Sequence, residues 1–462
     1  MTPNTSLYKS CQIREYLRND HLKVLSSVFP FDVIDNFDNK GTRDRVYSTE
    51  NTILTMVYTS TLQDKTLENS VDIFKKIHDS HKEIIIENVM LSIEKEKAED
   101  LKNPKIRRGP KKKYKLKIPK SKTIEISNNT AAYSNARKRV SYDLLKDIFH
   151  KTVETSDTKS YWYGMATYLT DGTYLQTQDS EELRKKYKVK LKNEESKEGY
   201  PQVLLQSIIQ QGGGLIHDFA IGNRHVSELA LIYKLILSIP QNSLLLADDL
   251  YNSYAIFCLA RKYNFDMIVP GKRVRNYKVI NQLANGDEIV EIKRTAHPEW
   301  LPKEEILPET LLLRRISFLS QDGKETMIIY TTLLDKKIPK EEIILKYFTR
   351  WDIEITLREV KTIMDVNVLR GKTEDIIRKE LISAFIAYNL IRKIIAQSTE
   401  GTAFSPENDI IQEFFESNKE FFIDSKGRVY KRWSTGRYGK VETENIKKDN
   451  TTTTREALSQ KN

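Results

Sequence analysis

YFTRWDIEITLREVK, residues Tyr347 to Lys361, is the stretch whose reading decides the fold. It has no Gly or Pro, and Trp351, Ile353, Leu357 and Val360 recur at helical spacing, which predicts a helix. At about 100° per residue, Tyr347, Arg350, Glu354, Arg358 and Lys361 fall on one narrow stripe. Trp351 and Ile355 flank that stripe on one side; Ile353, Leu357, Val360 and Met364 flank it on the other. A second polar face, with Asp352, Thr356 and Glu359, lies opposite. A soluble helix needs only one solvated face. Taken alone, the stripe reads as a surface row of charge pairs, Arg350–Glu354 and Glu354–Arg358.

Working outward, the next segment, RKELISAFIAYNLIRKIIAQS at 378–398, is a second and more apolar helix. Ahead of the stripe, residues 271–340 hold EIVEIKR, ETLLLRRISFLSQDGKETMIIYTTLL and the loop TAHPEWLP. These predict a small β-rich unit inserted into the core, with LSQDGKET as a turn between two strands. Further back, MATYLTDGTYLQT, PQVLLQSIIQQGGGLIHDFAIGN, NSLLLADD and FDMIVPGK are β-branched and aromatic runs bounded by Gly, Pro or Asn. They read as strands, with the Gly run at 212–214 as a hairpin turn. VSELALIYKLILSI and YNSYAIFCLARKY read as the helices between them. The order strand–strand–strand–helix–strand–helix–strand predicts an α/β core with a mixed sheet.

The predicted organisation is a helical region at 1–101, a basic segment at 102–129, and the first part of the core at 130–270. The β-rich insertion at 271–340 follows, then the helices that complete the core at 341–398 and a helical and basic tail at 399–462. KNPKIRRGPKKKYKLKIPKSK, at 102–122, has three prolines and no acidic residue. It cannot bury a core, so it is either a solvated linker or an arm that tracks phosphates. The tail ending in KKDNTTTTREALSQKN reads as disordered.

Composition narrows the partners. The chain has 462 residues, 39% hydrophobic and 30% charged, with a net charge of +11. The basic excess favours a polyanion, most often nucleic acid, with an anionic membrane surface as the competing explanation. No run approaches the roughly 18 apolar residues a membrane span needs, and the first residues lack the apolar core of a signal peptide. Cys11 and Cys258 lie far apart with no metal-ligand spacing, and the seven histidines form no HxxxH pair. This pattern excludes a disulfide framework and a zinc site, and fits a reducing, cytoplasmic setting.

Two further carboxylates matter. Asp171 sits where ATYLT runs into Gly172, and Asp248 follows the apolar strand SLLLA. Strand ends are where α/β proteins place ligands. Each has a plainer reading: Asp171 as a turn residue, Asp248 or Asp249 as a helix cap, with Asp249 the better candidate for a pure cap. Taken with Glu354, Asp171 and Asp248 supply hard oxygen ligands of the kind that hold Mg²⁺ or Mn²⁺. Two such ions can activate a water or a 3′-hydroxyl and stabilise the leaving oxygen of a phosphodiester displacement. Arg350 and Lys361 share the stripe with Glu354 and suit phosphate oxygens, while Tyr347 can donate to another.

These segments resemble the DDE transposases of bacterial insertion sequences, in the "insertion sequence four" group. That group carries Tyr, two residues, Arg, three residues, Glu, six residues, Lys, matched here by Tyr347, Arg350, Glu354 and Lys361 without a gap. TDGTYLQT resembles the segment of the family's first Asp (Asp171), and LLLADDLYNSY that of the second (Asp248). GYPQVLL and KELISAFIAYNLIRK also resemble family segments, so the likeness covers about 130–396.

The resemblance implies an RNase H-like core with a β-rich insertion between the second Asp and the Glu. It implies catalytic, metal-holding roles for Asp171, Asp248 and Glu354, with Mg²⁺ as the cofactor and Mn²⁺ as a substitute. It further implies double-stranded DNA as partner, at element ends and target, with a homodimer bridging two ends. The expected reaction is cleavage at terminal inverted repeats followed by strand transfer. Some members hold a flipped base on aromatics, for which Trp351 and Trp300 are the candidates; local packing is the competing reading of Trp300. Arg358 lies outside the signature and is left as a partner of Glu354 or a supporting phosphate contact. A catalytically silent DNA-binding relic and a structure-specific nuclease on the same scaffold are the alternative functions.

Overall fold

The computed structural model describes residues 25, 28–37, 45–62, 64–102, 124–154, 160–190, 198–271, 275–319, 326–399, 421–423 and 429–431. The basic run expected to be a linker or arm, almost all of the tail, and the LSQDGKET turn lie outside the described residues. The chain forms two compact units, His21–Lys393 on the one hand and Met1–Asp20 with Ile394–Asn462 on the other. In the smaller unit, Phe421–Ile423 pairs antiparallel with Val429–Lys431. Everything below concerns the larger unit.

Its described part opens with helices α1 (Phe31–Asn36), α2 (Thr49–Thr59), α3 (Leu67–Lys102), α4 (Thr130–Arg139) and α5 (Tyr142–Glu154). Polar residues set two of the starts. Ser48 Oγ accepts the Asn51 N–H at 3.2 Å before α2, and Asn129 Oδ1 accepts the Ala131 N–H at 2.8 Å before α4. Each side chain satisfies a backbone donor that the first helical turn leaves open.

The sheet then begins with β1 (Tyr161–Trp162) and β2 (Met165–Thr177). Helix α6 (Glu181–Tyr187) and the small pair β3 (Val189–Lys190) and β4 (Glu198–Gly199) intervene before β5 (Gln202–Gln210) and β6 (Ile216–Gly222). Between β5 and β6 the Gly-rich turn forms as predicted, with Gly212 at φ 102° and Gly214 at φ 68°, a region side chains avoid. Helix α7 (Glu228–Leu235), β7 (Ser243–Leu246), α8 (Tyr254–Lys262) and β8 (Asp266–Pro270) complete the predicted order.

In space the strands run β6-β5-β2-β7-β8. β5 and β6 lie antiparallel to their neighbours, while β2, β7 and β8 run parallel. This is the mixed sheet of an α/β core, as expected. The predicted insertion is not a separate lobe. Its strands β9 (Tyr277–Ala284), β10 (Asp287–Lys293), β11 (Thr310–Leu319) and β12 (Thr326–Thr331) continue the same sheet. The join is the antiparallel pairing of β12 with β8, from Ile329↔Pro270 to Thr331↔Ile268. A sequence pattern reports each strand's faces but not which distant strand it borders, so this join was not predictable.

Helices α9 (Lys340–Phe348), α10 (Asp352–Ile363) and α11 (Glu374–Thr399) close the unit, with a short strand β13 (Val368–Leu369) alongside β2. The strands alternate strictly between two cores. Tyr168, Ile208, Leu245, Met267 and Val269 face α7 and α8; Leu169, Ile209, Leu244, Leu246 and Ile268 face Tyr347, Ile353 and Leu357 of the last helices. The middle of α11 is buried almost all round, at Ile377, Leu381, Phe385, Ile386 and Leu390, the mark of an internal helix. Among the described residues no helix is long and apolar enough to cross a membrane.

Candidate active site

Asp171 lies in the middle of β2 rather than at its end or in a turn, the two positions the sequence suggested. Pairing with β5 continues past it, through Gly172↔Gln206 to Gln176↔Gln202. On the other edge, however, pairing with β7 stops at Leu169↔Leu246. Asp171 therefore stands just beyond the end of β7, at the point where the parallel strands open. As an odd-numbered residue of β2 it shares the face of Leu169, toward α9 and α10.

Asp248 follows β7 at the same opening. Its Oδ1 accepts the Leu250 N–H at 2.9 Å and caps a 3₁₀ turn over Asp249–Tyr251. The cap is thus Asp248 and not Asp249, because the chain turns one residue earlier than the sequence suggested and the next helix waits until Tyr254. Capping uses one carboxylate oxygen and leaves the other free of that duty.

Burial pushes the Asp171 carboxyl up to about 6, and the Asp248 and Glu228 carboxylates add to the push. The Gly172 N–H, at 2.8 Å from Oδ1, and the Arg350 guanidinium act against it. Asp171 is thus a buried carboxyl with like charges beside it and the Arg350 guanidinium opposing them.

The stripe reaches this place on a helix that differs from the predicted one. The run is helical throughout but is interrupted by a 3₁₀ turn at Thr349–Trp351, between α9 and α10. A 3₁₀ turn rotates about 120° per residue instead of 100°. Three such residues swing Glu354 about 60° further round the axis than a regular helix would place it relative to Tyr347. The kink is held from outside. Lys346 Nζ donates to Gln211 Oε1 at 2.7 Å, and Gln211 Nε2 donates to Asp352 Oδ2 at 2.9 Å. Asp352, expected on a solvent face, is tied in this way to the β5–β6 turn, and Thr356, expected beside it, is buried.

Tyr347 and Arg350 are both buried, with Arg350 beside the Tyr347 hydroxyl, and Tyr347 senses the charges of Asp248 and Asp249. The Arg350 Nε has no hydrogen-bond partner although it is buried. Its guanidinium lies 4.8 Å from the Trp351 ring centre, and the Trp351 ring is 51% exposed. Burial lowers Lys361, and the Asp171 carboxylate pulls it back up. Glu354 faces Arg350 at 3.6 Å. Trp300 sits apart, half-buried against the core cluster that holds Tyr254, Leu301 and Leu307.

Asp171, Asp248, Tyr347, Arg350 and Lys361 are thus brought into one electrostatic neighbourhood, with Glu354 attached through Arg350. The donor chemistry, carboxylate oxygens from Asp171 and Asp248, fits a hard divalent cation. Yet among the described residues no group of three His, Cys, Asp or Glu stands close enough to hold a metal. Asp171 and Asp248 act on one another electrostatically, and Glu354 faces Arg350.

One residue escaped the sequence reading. Glu228, in the first turn of α7, accepts the Tyr251 hydroxyl at 3.1 Å and lies against the backbone of Gly172. In the sequence it is an ordinary acidic residue at a helix start; its approach to β2 arises only when α7 packs across the sheet.

Comparison with known proteins finds transposases. The family described as "Transposase DDE domain" matches residues 162–390. The transposase InsG for insertion sequence element IS4 of Escherichia coli is 26% identical over 270 residues, covering 57% of this chain and 60% of that protein. The putative transposase InsZ of the same organism is 26% identical over 179 residues, covering 37% of this chain and 56% of that protein. The chain thus spans less than two thirds of the length of either relative. A solved structure of a piggyBac transposase synaptic complex with hairpin DNA aligns over 64% of this chain and 66% of its own, at 10% identity and a TM-score of 0.32. The family match begins in β1 and ends inside α11, taking in all three carboxylates and the kinked helix between them. Residues 162–390 are thus matched as a DDE transposase domain, and the chain is similar to the transposases of insertion sequence IS4.

Proposed function

We propose that this chain binds the terminal inverted repeats of an insertion sequence, cuts the DNA there and joins the freed 3′-hydroxyl to a target. The observation that carries the proposal is the meeting of Asp171 and Asp248 at the end of β7, facing the helix that bears Arg350, Glu354 and Lys361. Asp171, Asp248 and Glu354 would hold Mg²⁺, or Mn²⁺ in its place, as two ions. When bound, these would activate the attacking water or hydroxyl and stabilise the leaving oxygen.

The chain's own residues supply the rest. Glu354 completes the donor set by leaving Arg350. A partly exposed i,i+4 pair of this kind is worth only about 0.3–0.5 kcal/mol, so the exchange is cheap. Arg350 is thereby freed to fork two phosphate oxygens with a guanidinium that already has an unpaired Nε–H. Lys361 contributes a point charge to a neighbouring phosphate, and Tyr347 a hydroxyl. Trp351, exposed beside Arg350, is the better placed aromatic for stacking on an unpaired base, since Trp300 is half-buried in the core. Two copies would bridge the two element ends.

The test is divalent-ion-dependent cleavage and joining of a DNA fragment carrying the element's terminal repeats. Cleavage followed by joining supports the proposal. Cleavage without joining points to a structure-specific nuclease, and end binding without cleavage to a silent relic.

A further inference from the structure

We infer that Glu228 is a fourth carboxylate of this centre, a positioning residue that sets cation affinity from behind β2. The inference rests on the metal-holding role proposed for Asp171 and Asp248.

The geometry begins with strand alternation. Asp171 faces α10, so Gly172 faces α7 and α8 on the reverse of the sheet. A Cβ placed on Gly172 would lie 2.5 Å from Glu228 Oε2, closer than real atoms approach. The Glu228 carboxylate therefore fills the space of the missing side chain. It rests on the backbone of the residue whose N–H holds Asp171 Oδ1 at 2.8 Å. The glycine is needed for this close approach and not for its backbone angles.

Glu228 is also tied to the Asp248 side. Tyr251 ends the 3₁₀ turn that Asp248 caps, and its hydroxyl lies 3.1 Å from Glu228 Oε2 and 3.0 Å from Gln206 Oε1. Gln206 is the β5 partner of Gly172, and its Nε2 donates to Thr170 Oγ1 at 2.7 Å. One buried network thus joins the strand of Asp171, the turn of Asp248 and Glu228. Asp171, Asp248 and Glu228 act on one another electrostatically. No lysine or arginine hydrogen bond or ion pair to Glu228 occurs among the described contacts, so its charge adds to the field that a cation would meet.

A carboxylate placed there raises cation affinity without touching the reacting atoms. It costs the metal-free fold some like-charge repulsion. These two effects have opposite signs, which separates the role from plain packing. Loss of a supporting partner around a metal site typically costs 10–100-fold in affinity.

The experiment is Mn²⁺ titration by calorimetry on the full chain and three variants, with unfolding of each followed in chelator at pH 8. Glu228→Gln is expected to weaken Mn²⁺ binding about tenfold or more, with metal-free stability equal to or above that of the parent. Gly172→Ala is expected to do the same by displacing the flexible end of Glu228, which guards against a defect peculiar to the glutamine. Asp171→Asn is expected to remove the binding. Parental Mn²⁺ affinity in both Glu228→Gln and Gly172→Ala, with binding lost in Asp171→Asn, overturns the inference alone. Parental affinity in all three overturns the metal site and the inference together.

Discussion

Arg350 and Glu354 face each other at 3.6 Å, one turn apart on the kinked helix, with the arginine buried and the glutamate side chain 41% exposed. The pair occupies the Glu354 carboxylate on the helix that packs against the Asp171 face of the sheet. Arg350→Ala is expected to release Glu354. Mn²⁺ affinity should then hold or rise, while affinity for cut DNA ends falls about 10-fold or more, the worth of a charge-assisted phosphate contact. Calorimetry with Mn²⁺ and a DNA-binding titration check the two halves separately. A parallel fall in both contradicts the assignment.

Asp171 gives a pH-dependent signature. Its carboxyl sits at about 6 in the metal-free fold against an ordinary 3.8, raised first by burial. Between those values the folded chain holds a proton that the unfolded chain has released, so this residue's contribution to stability falls as pH rises through the window. Above it the cost is complete. Metal-free Asp171→Asn is therefore expected to be more stable than the parent at pH 8, by about 1–3 kcal/mol, with a smaller gain at pH 5. Urea unfolding in chelator at both pH values measures it, and a less stable variant at pH 8 contradicts it.

Lys361 is half-buried and feels Asp171. If it grips one phosphate, Lys361→Ala should lower the slope of log affinity against log salt by about one, uniformly across DNA sequences. An unchanged slope removes the contact.

The two tryptophans should separate cleanly. Trp351 is exposed, so Trp351→Ala is expected to change stability by no more than about 0.5 kcal/mol. It should weaken binding to a DNA end with an unpaired base by about 5- to 100-fold, the worth of one base stack. Trp300→Ala is expected to lower stability by about 1–3 kcal/mol, because its ring packs on the core. Unfolding curves and end-binding titrations give both readouts; a reversed pattern assigns the stacking role to Trp300.

The β-rich extension has its own anchor. Arg314 and Asp287 are both buried and doubly hydrogen-bonded, at 2.8 and 2.6 Å, and Arg314 also donates to the Asp335 and Ile338 carbonyls. Arg314→Ala leaves a buried carboxylate without its partner and is expected to cost about 3–5 kcal/mol. Equilibrium urea unfolding measures this, and a loss below about 1 kcal/mol contradicts it.

The parts of the candidate site that could be read in the chain are local ones. An apolar strand that ends in an acidic residue marks Asp248, and a helix stripe with alternating charge marks Arg350, Glu354 and Lys361. The strand order could be read from short apolar runs and their turn residues. What could not be read depends on contacts between distant segments. The 3₁₀ kink before Asp352 is held by Gln211, well over a hundred positions away. β12 finds β8, and Glu228 finds Gly172, only through packing across the sheet. Asp171 looked like a strand end because Gly172 follows it, yet β5 carries the strand onward. A glycine that serves as a gap for another residue's carboxylate looks the same in sequence as one that makes a turn.

The most direct test of the account is single-turnover cleavage, in Mg²⁺, of DNA carrying the element's end, by the parent chain and by Asp248→Asn. The account predicts that the variant binds the DNA normally and cuts it slower by on the order of 10³-fold, the scale of losing a preorganised charge at a reacting centre. Cleavage by Asp248→Asn at the parental rate would contradict it.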